Sequence, residues 1–145
     1  MYKEFPASLD KLYEMLEFIV SEAQSTGFGD GHISKIELAA EEALVNIISH
    51  GYPSTEGTVE IHCFSLPNNG MKIVLKDKGI PYNPLLGVDT FDPKKVSVDR
   101  NLGGYGIYFI TKLMDEVDYK REEEANILTL IKYVTTDESA STPAS

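Results

Sequence analysis

The chain has 145 residues, 42% hydrophobic, 25% charged and 10% aromatic, which is the composition of one globular domain. Its formal net charge of −10 argues against binding nucleic acid, because duplex binding depends on Lys and Arg replacing counterions around phosphates. No apolar run approaches the ~20 residues of a membrane span, and Met1-Tyr-Lys-Glu-Phe-Pro6 lacks a signal-peptide core, so a cytoplasmic protein without membrane contact is expected.

Ser8 before Leu9-Asp10 predicts a helix start, with the hydroxyl accepting from an early amide and Asp10 favoured by the dipole. Leu9, Leu12, Leu16, Ile19 and Val20 then recur at helical spacing to about Gln24, and Gly27-Phe-Gly-Asp-Gly31 breaks the pattern. A second helix is expected from about Ile33 to His50, stopped by Gly51 and Pro53. At 3.6 residues per turn, Ile36, Ala40, Ala43, Leu44 and Ile47 share one core-facing arc of about 100°. Glu42 and Asn46, four apart, stack at the edge of that arc. Ala39 fills the gap between this row and the core, and His50 follows as a helix-end residue favoured by the dipole. An Asn carbonyl is a hard oxygen ligand suited to Mg²⁺, and a Glu one turn away could take a proton from an attacking hydroxyl. The same row also reads as a solvated helix face.

Thr58–Leu66 and Met71–Lys76 read as strands joined by Pro67-Asn-Asn-Gly70, a hairpin signal because Asn and Gly tolerate positive φ. Cys63 falls in phase with Val59 and Ile61 and is expected to be a buried structural thiol. The second strand ends in Asp77, with Gly79 two residues on. Such a carboxylate could accept from an exocyclic amine while the glycine lets a flat base approach, although a plain Asp-x-Gly turn fits as well.

Between Ile80 and Leu102 no period is visible, and a loop of that length is often a lid. A third helix is expected from Gly104 to about Asp115, its glycine-rich start offering free amides to phosphates. No Gly-Lys-Ser/Thr follows, so a Walker lysine loop is excluded. Val117–Arg121 and Ile127–Val134 form a last strand pair around an acidic turn, Glu122–Asn126. Residues 135–145 hold no large apolar side chain and are expected to be a disordered tail after one domain over 1–134. The element order implies an α+β fold, a mixed and largely antiparallel sheet with helices on one face.

In order, Glu42-x-x-x-Asn46, Asp77-x-Gly79-x-Pro81-Tyr-Asn-Pro84 and Gly103-Gly-Tyr-Gly-Ile-Tyr-Phe-Ile110 resemble the bacterial anti-sigma factor serine/threonine kinase family of the GHKL ATP-binding superfamily. Phe5-Pro-Ala-Ser-Leu-Asp-Lys-Leu12 is similar to it as well. The resemblance implies a two-layer α/β sandwich that binds ATP and Mg²⁺ and moves the γ-phosphoryl group to a STAS-type anti-anti-sigma protein. It also implies sequestration of a sigma factor. Under it, Asn46 holds Mg²⁺, Glu42 is the base, Asp77 receives the adenine amine above Gly79, and Thr129 helps fix the ring. Gly103, Gly104, Tyr105, Gly106 and Ile107 face the phosphates under the lid, and Arg100 is the candidate lid cation, with Lys94 and Lys95 weaker. Pro81 stands where many superfamily members have glycine, and Tyr82 where phenylalanine is common; proline fits the anti-sigma branch. A non-catalytic partner-switching module of the same fold is the alternative. A detached histidine-kinase ATP domain is the weaker one, since none of His32, His50 and His62 precedes the ATP boxes on a dimerising helix. Val45 and Ile48, opposite the core arc, allow a homodimer.

Overall fold

A computed structural model describes residues 1–52, 56–67, 69–85 and 104–134, with 104–108 by their backbone. Ser8 Oγ accepts from the Asp10 amide at 3.2 Å and opens a 3₁₀ turn over Leu9–Lys11, which runs into helix α1, Leu12–Thr26. Gly27 ends α1 at φ 103°, a left-handed conformation that disfavours residues with a Cβ. The glycine-rich break is shorter than expected. Phe28 is buried, and helix α2 spans Asp30–Asn46, taking Gly31 into its first turn. One wide π turn, Ile47–Gly51, follows directly.

The sheet has five strands, in the order β1-β2-β3-β5-β4. They are β1 (Tyr2–Pro6), β2 (Thr58–Leu66), β3 (Gly70–Asp77), β4 (Glu116–Glu122) and β5 (Ala125–Tyr133). A mixed sheet was expected; among the described residues all four pairings are antiparallel. Strand β1 was not foreseen. It carries charges at Lys3 and Glu4 and one buried side chain, Phe5, which pairs with Val59 and meets Phe18 edge-on at 6.1 Å between ring centroids. Helix α3 spans Gly104–Leu113, close to the expected bounds.

Alternation fixes the two faces of the sheet. Val59, Ile61 and Cys63 on β2, Met71, Ile73, Leu75 and Asp77 on β3, and Asn126, Leu128, Leu130 and Lys132 on β5 are buried beneath the helices. The expected arc of α2, Ile36, Ala40, Ala43, Leu44 and Ile47, is buried throughout, as is Ala39. Ile48 packs partly against the core. Met15, Leu16 and Ile19 of α1 and Ile110 of α3 complete one cluster, each buried Leu or Ile contributing about 1.5–3 kcal/mol. Cys63 is buried, and burial pushes its thiol up to about 12, so it is an inert packing residue. No helix among the described residues is long and apolar enough to cross a membrane. Residues 135–145 of the expected tail lie outside the described residues.

Candidate functional site

Asp77 closes β3 on the helix-facing side, and the register sets it directly opposite Asn126 at the start of β5. Across the other neighbour, Asn126 pairs with Arg121 of β4. The end of α2 and its π turn lie over this corner of the sheet. The π turn carries Gly51 to the Asp77–Gly79 turn, where the Gly51 carbonyl accepts from the Ile80 amide at 3.0 Å. A Cβ on Gly79 would lie 2.3 Å from the Gly51 oxygen, so glycine is demanded there by backbone contact within the protein. Tyr52 supports the turn from outside: its hydroxyl accepts from the Lys78 amide and donates to the Thr58 carbonyl, both at 2.9 Å.

Asn126 is the hub. Its Nδ2 donates to Asp77 Oδ1 at 3.0 Å and to the Ile80 carbonyl at 2.9 Å. Its Oδ1 accepts from the Tyr119 hydroxyl at 2.6 Å and the Tyr82 amide at 3.4 Å. Asp77 Oδ1 also takes the Gly79 amide at 2.9 Å, and Arg121 Nη1 donates to the Gly79 carbonyl at 2.9 Å. Burial raises the pKa of Asp77, while the bonds from Asn126 and Gly79 and the Arg121 charge pull it down. Oδ2 of Asp77 has no hydrogen bond among the described residues.

Asp77 is one wall of a cleft lined by Ala43, Asn46, Ile47, Gly51, Asp77, Tyr82, Pro84, Tyr119, Asn126 and Leu128. It is narrow, smaller than the usual ligand site, and mostly apolar with a few polar groups. Tyr82 stacks on His50 beside it, ring centroids 4.6 Å apart.

The structure thus brings Asn46 and Asp77 to one cleft. Asn46 is only 7% exposed, and its amide has no hydrogen bond among the described residues. A buried amide left open toward a cleft suits an oxygen-ligated cation. Among the described residues no group of three or more His, Cys, Asp or Glu could hold a metal ion. Glu42 lies one turn before Asn46, half-buried and off the cleft lining. Burial, and secondarily the Glu41 charge, raises its pKa, which makes it a stronger base than an exposed glutamate.

Three of the candidate residues lie off the lining of this cleft. Thr129 does not reach the cleft: Leu128 and Leu130 are buried, so the period of two turns Thr129 to the opposite face, beside Val74 and Asp118. Pro81 is exposed, and Pro84 lines the cleft. Gly79 serves the Gly51 contact and is not among the lining residues. Gly104, Tyr105, Gly106 and Ile107 form the first turn of α3, which packs along α2, while Arg100, Gly103, Lys94 and Lys95 lie outside the described residues. Sequence reasoning missed Asn126, Tyr119 and Gly51. Asn126 was left inside the acidic turn because two glutamates give no hairpin signal.

Residues 5–132 match the family described as the histidine kinase-like ATPase domain. The chain is similar to the serine-protein kinase RsbW of Bacillus cereus strain AH187, at 30% identity over 115 residues, covering 77% of this chain and 71% of that protein. RsbW of Bacillus thuringiensis strain Al Hakam matches over the same shares at 30% identity. Among solved structures, the histidine kinase domain of the Erythrobacter litoralis EL346 blue-light activated histidine kinase is similar at TM-score 0.56 and 16% identity. That likeness covers 88% of this chain and 63% of the other, less than two thirds of its length, and it concerns the fold alone.

Proposed function

The chain belongs to the bacterial anti-sigma factor serine/threonine kinase family of histidine kinase-like ATPases, and on that premise we propose that it binds ATP with Mg²⁺ and phosphorylates a serine or threonine of a STAS-type anti-anti-sigma partner. In its other mode it sequesters a sigma factor, as a cytoplasmic homodimer. The observation that carries the reading is Asp77: a buried carboxylate that lines an apolar cleft, with one oxygen committed to the protein and the other without a hydrogen bond among the described residues.

Asp77 Oδ2 accepts the exocyclic amine of adenine, a base edge that donates where guanine offers a carbonyl. Ala43, Ile47 and Leu128 cover the base on its apolar side, and Asn46 would hold the metal. Bound there, Mg²⁺ supplies charge neutralisation on the phosphate oxygens. The first amides of α3 meet the phosphates, favoured by the helix dipole. Glu42 takes the proton of the acceptor hydroxyl. These residues position and neutralise, which is most of what phosphoryl transfer asks of a protein.

Glu42 lies off the cleft lining, and that favours a second reading: a nucleotide-dependent partner switch without phosphoryl transfer. One experiment separates them. With γ-labelled ATP and a cognate STAS protein, label is expected on the partner with the wild type, falling at least about 100-fold with Glu42→Gln while ATP binding persists. Label that never reaches the partner, although ATP binds, would leave the switch reading standing and sink the kinase.

A further inference from the structure

We propose that Asn126 is the positioning residue for base selection: it fixes the Asp77 carboxylate so that Oδ2 alone is presented to the nucleobase. The inference rests on the adenine-nucleotide reading above and deepens it.

A side-chain amide can donate two hydrogen bonds and accept two. Asn126 uses all four, toward Asp77 Oδ1, the Ile80 carbonyl, the Tyr119 hydroxyl and the Tyr82 amide. It is 6% exposed and has no capacity left for a ligand, so it acts through Asp77. The chemistry of its partners also dictates which way the amide points. Exchanging oxygen and nitrogen would set Nδ2 against the Tyr82 N–H, and Oδ1 against both a carboxylate and the Ile80 carbonyl. The donor therefore always faces Asp77.

At Asp77 the consequence is geometric. Oδ1 receives Nδ2 of Asn126 and the backbone N–H of Gly79, two donors from different directions. Rotation of the carboxyl group would break both. Asp77 lines the cleft, so the remaining oxygen is the one left to serve a ligand there, and an ionised carboxylate only accepts. Asn126 favours that ionised form with a neutral donor, together with the Gly79 amide and the Arg121 charge. Tyr119 secures the arrangement from β4 through the shortest bond of the group, 2.6 Å. The same amide grips Ile80 and Tyr82, so the aim of Asp77 is set by the residues that lead from β3 into the segment beyond Leu85.

Selectivity reads this role directly. The full chain is titrated in Mg²⁺ with ATP and with purine ribonucleoside triphosphate, which differs only in lacking the 6-amino group. The wild type is expected to prefer ATP by about tenfold or more, the worth of one buried charge-assisted hydrogen bond. In Asn126→Leu the preference is expected to fall to within about twofold of unity, and in Tyr119→Phe to drop about threefold. A purely structural side chain would weaken both nucleotides equally, so a preserved ratio in the variants overturns the proposal while the adenine-nucleotide reading stands. A wild type that binds neither nucleotide ends both. Should Asn126→Leu fail to unfold cooperatively, Tyr119→Phe decides alone, and an unchanged ratio there counts against Asn126.

Discussion

Asp77 carries a charge where only 4% of the residue is exposed, and the fold does not repay that cost in full. Burial lifts its pKa above the ordinary carboxylate value despite two hydrogen bonds and a nearby guanidinium. Over the interval between the unfolded value, about 4, and the raised folded value, the folded state keeps a proton that the unfolded chain has released. The stabilisation from this group is therefore complete below about pH 4 and is lost as pH rises through the folded pKa. Asp77→Asn keeps an oxygen for Gly79 and Asn126 and removes the charge. Its urea midpoint is expected to exceed the wild type's at pH 7 and to approach it near pH 4, with ATP binding gone. A difference that shrinks as pH rises would mean that the native state lowers this pKa. Asp77 and Asn46 were legible because each ends a clear pattern, a half-buried strand and an amphipathic helix. Thr129 was misread for a physical reason. Ile127-Leu-Thr-Leu-Ile131 is apolar in both phases of a strand, so the sequence does not say which face is inward.

The same ambiguity operates on whole elements. Glu122 pairs with Ala125, which leaves Glu123 and Glu124 as a two-residue turn at φ 51° and 65°. Hairpins of this kind favour Asn-Gly, and two glutamates pay a steric cost for the left-handed region as well as a like-charge cost. Nothing in the residue types announces so tight a turn, so the strand start moved past Asn126 in the sequence reading. Strand β1 was missed because its five residues bury only Phe5 and take their hydrogen bonds from β2. Both long hairpin strands and the central helices were read within a few residues, since their apolar spacing survives any local detail. The turn offers a test of its own strain. Glu124→Gly is expected to raise stability by roughly 0.5–1 kcal/mol in equilibrium urea unfolding, with no change in nucleotide affinity. No gain would mean that the exposed carboxylate contributes something the backbone argument omits.

At the scale of the molecule, a formal charge of −10 confronts a polyanionic ligand. Under the proposed function, short-range attraction would come from main-chain donors and from a cation at Asn46; the repulsion is spread over the whole surface. The two differ in reach. Screening extends about 30 Å at 0.01 M salt and about 8 Å at 0.15 M, so added salt weakens the diffuse repulsion and leaves contacts inside the cleft nearly intact. Chelating Mg²⁺ raises the ligand's own negative charge and so exposes it fully to the surface field. ATP affinity with EDTA is therefore expected to fall by about tenfold or more at 0.01 M ionic strength, and by several-fold less at 0.15 M. Titrations at both ionic strengths, with and without Mg²⁺, measure that difference of differences. A metal effect of equal size at both would assign it to local ligation alone, and the acidic surface would then have no part in making this cleft depend on a divalent cation.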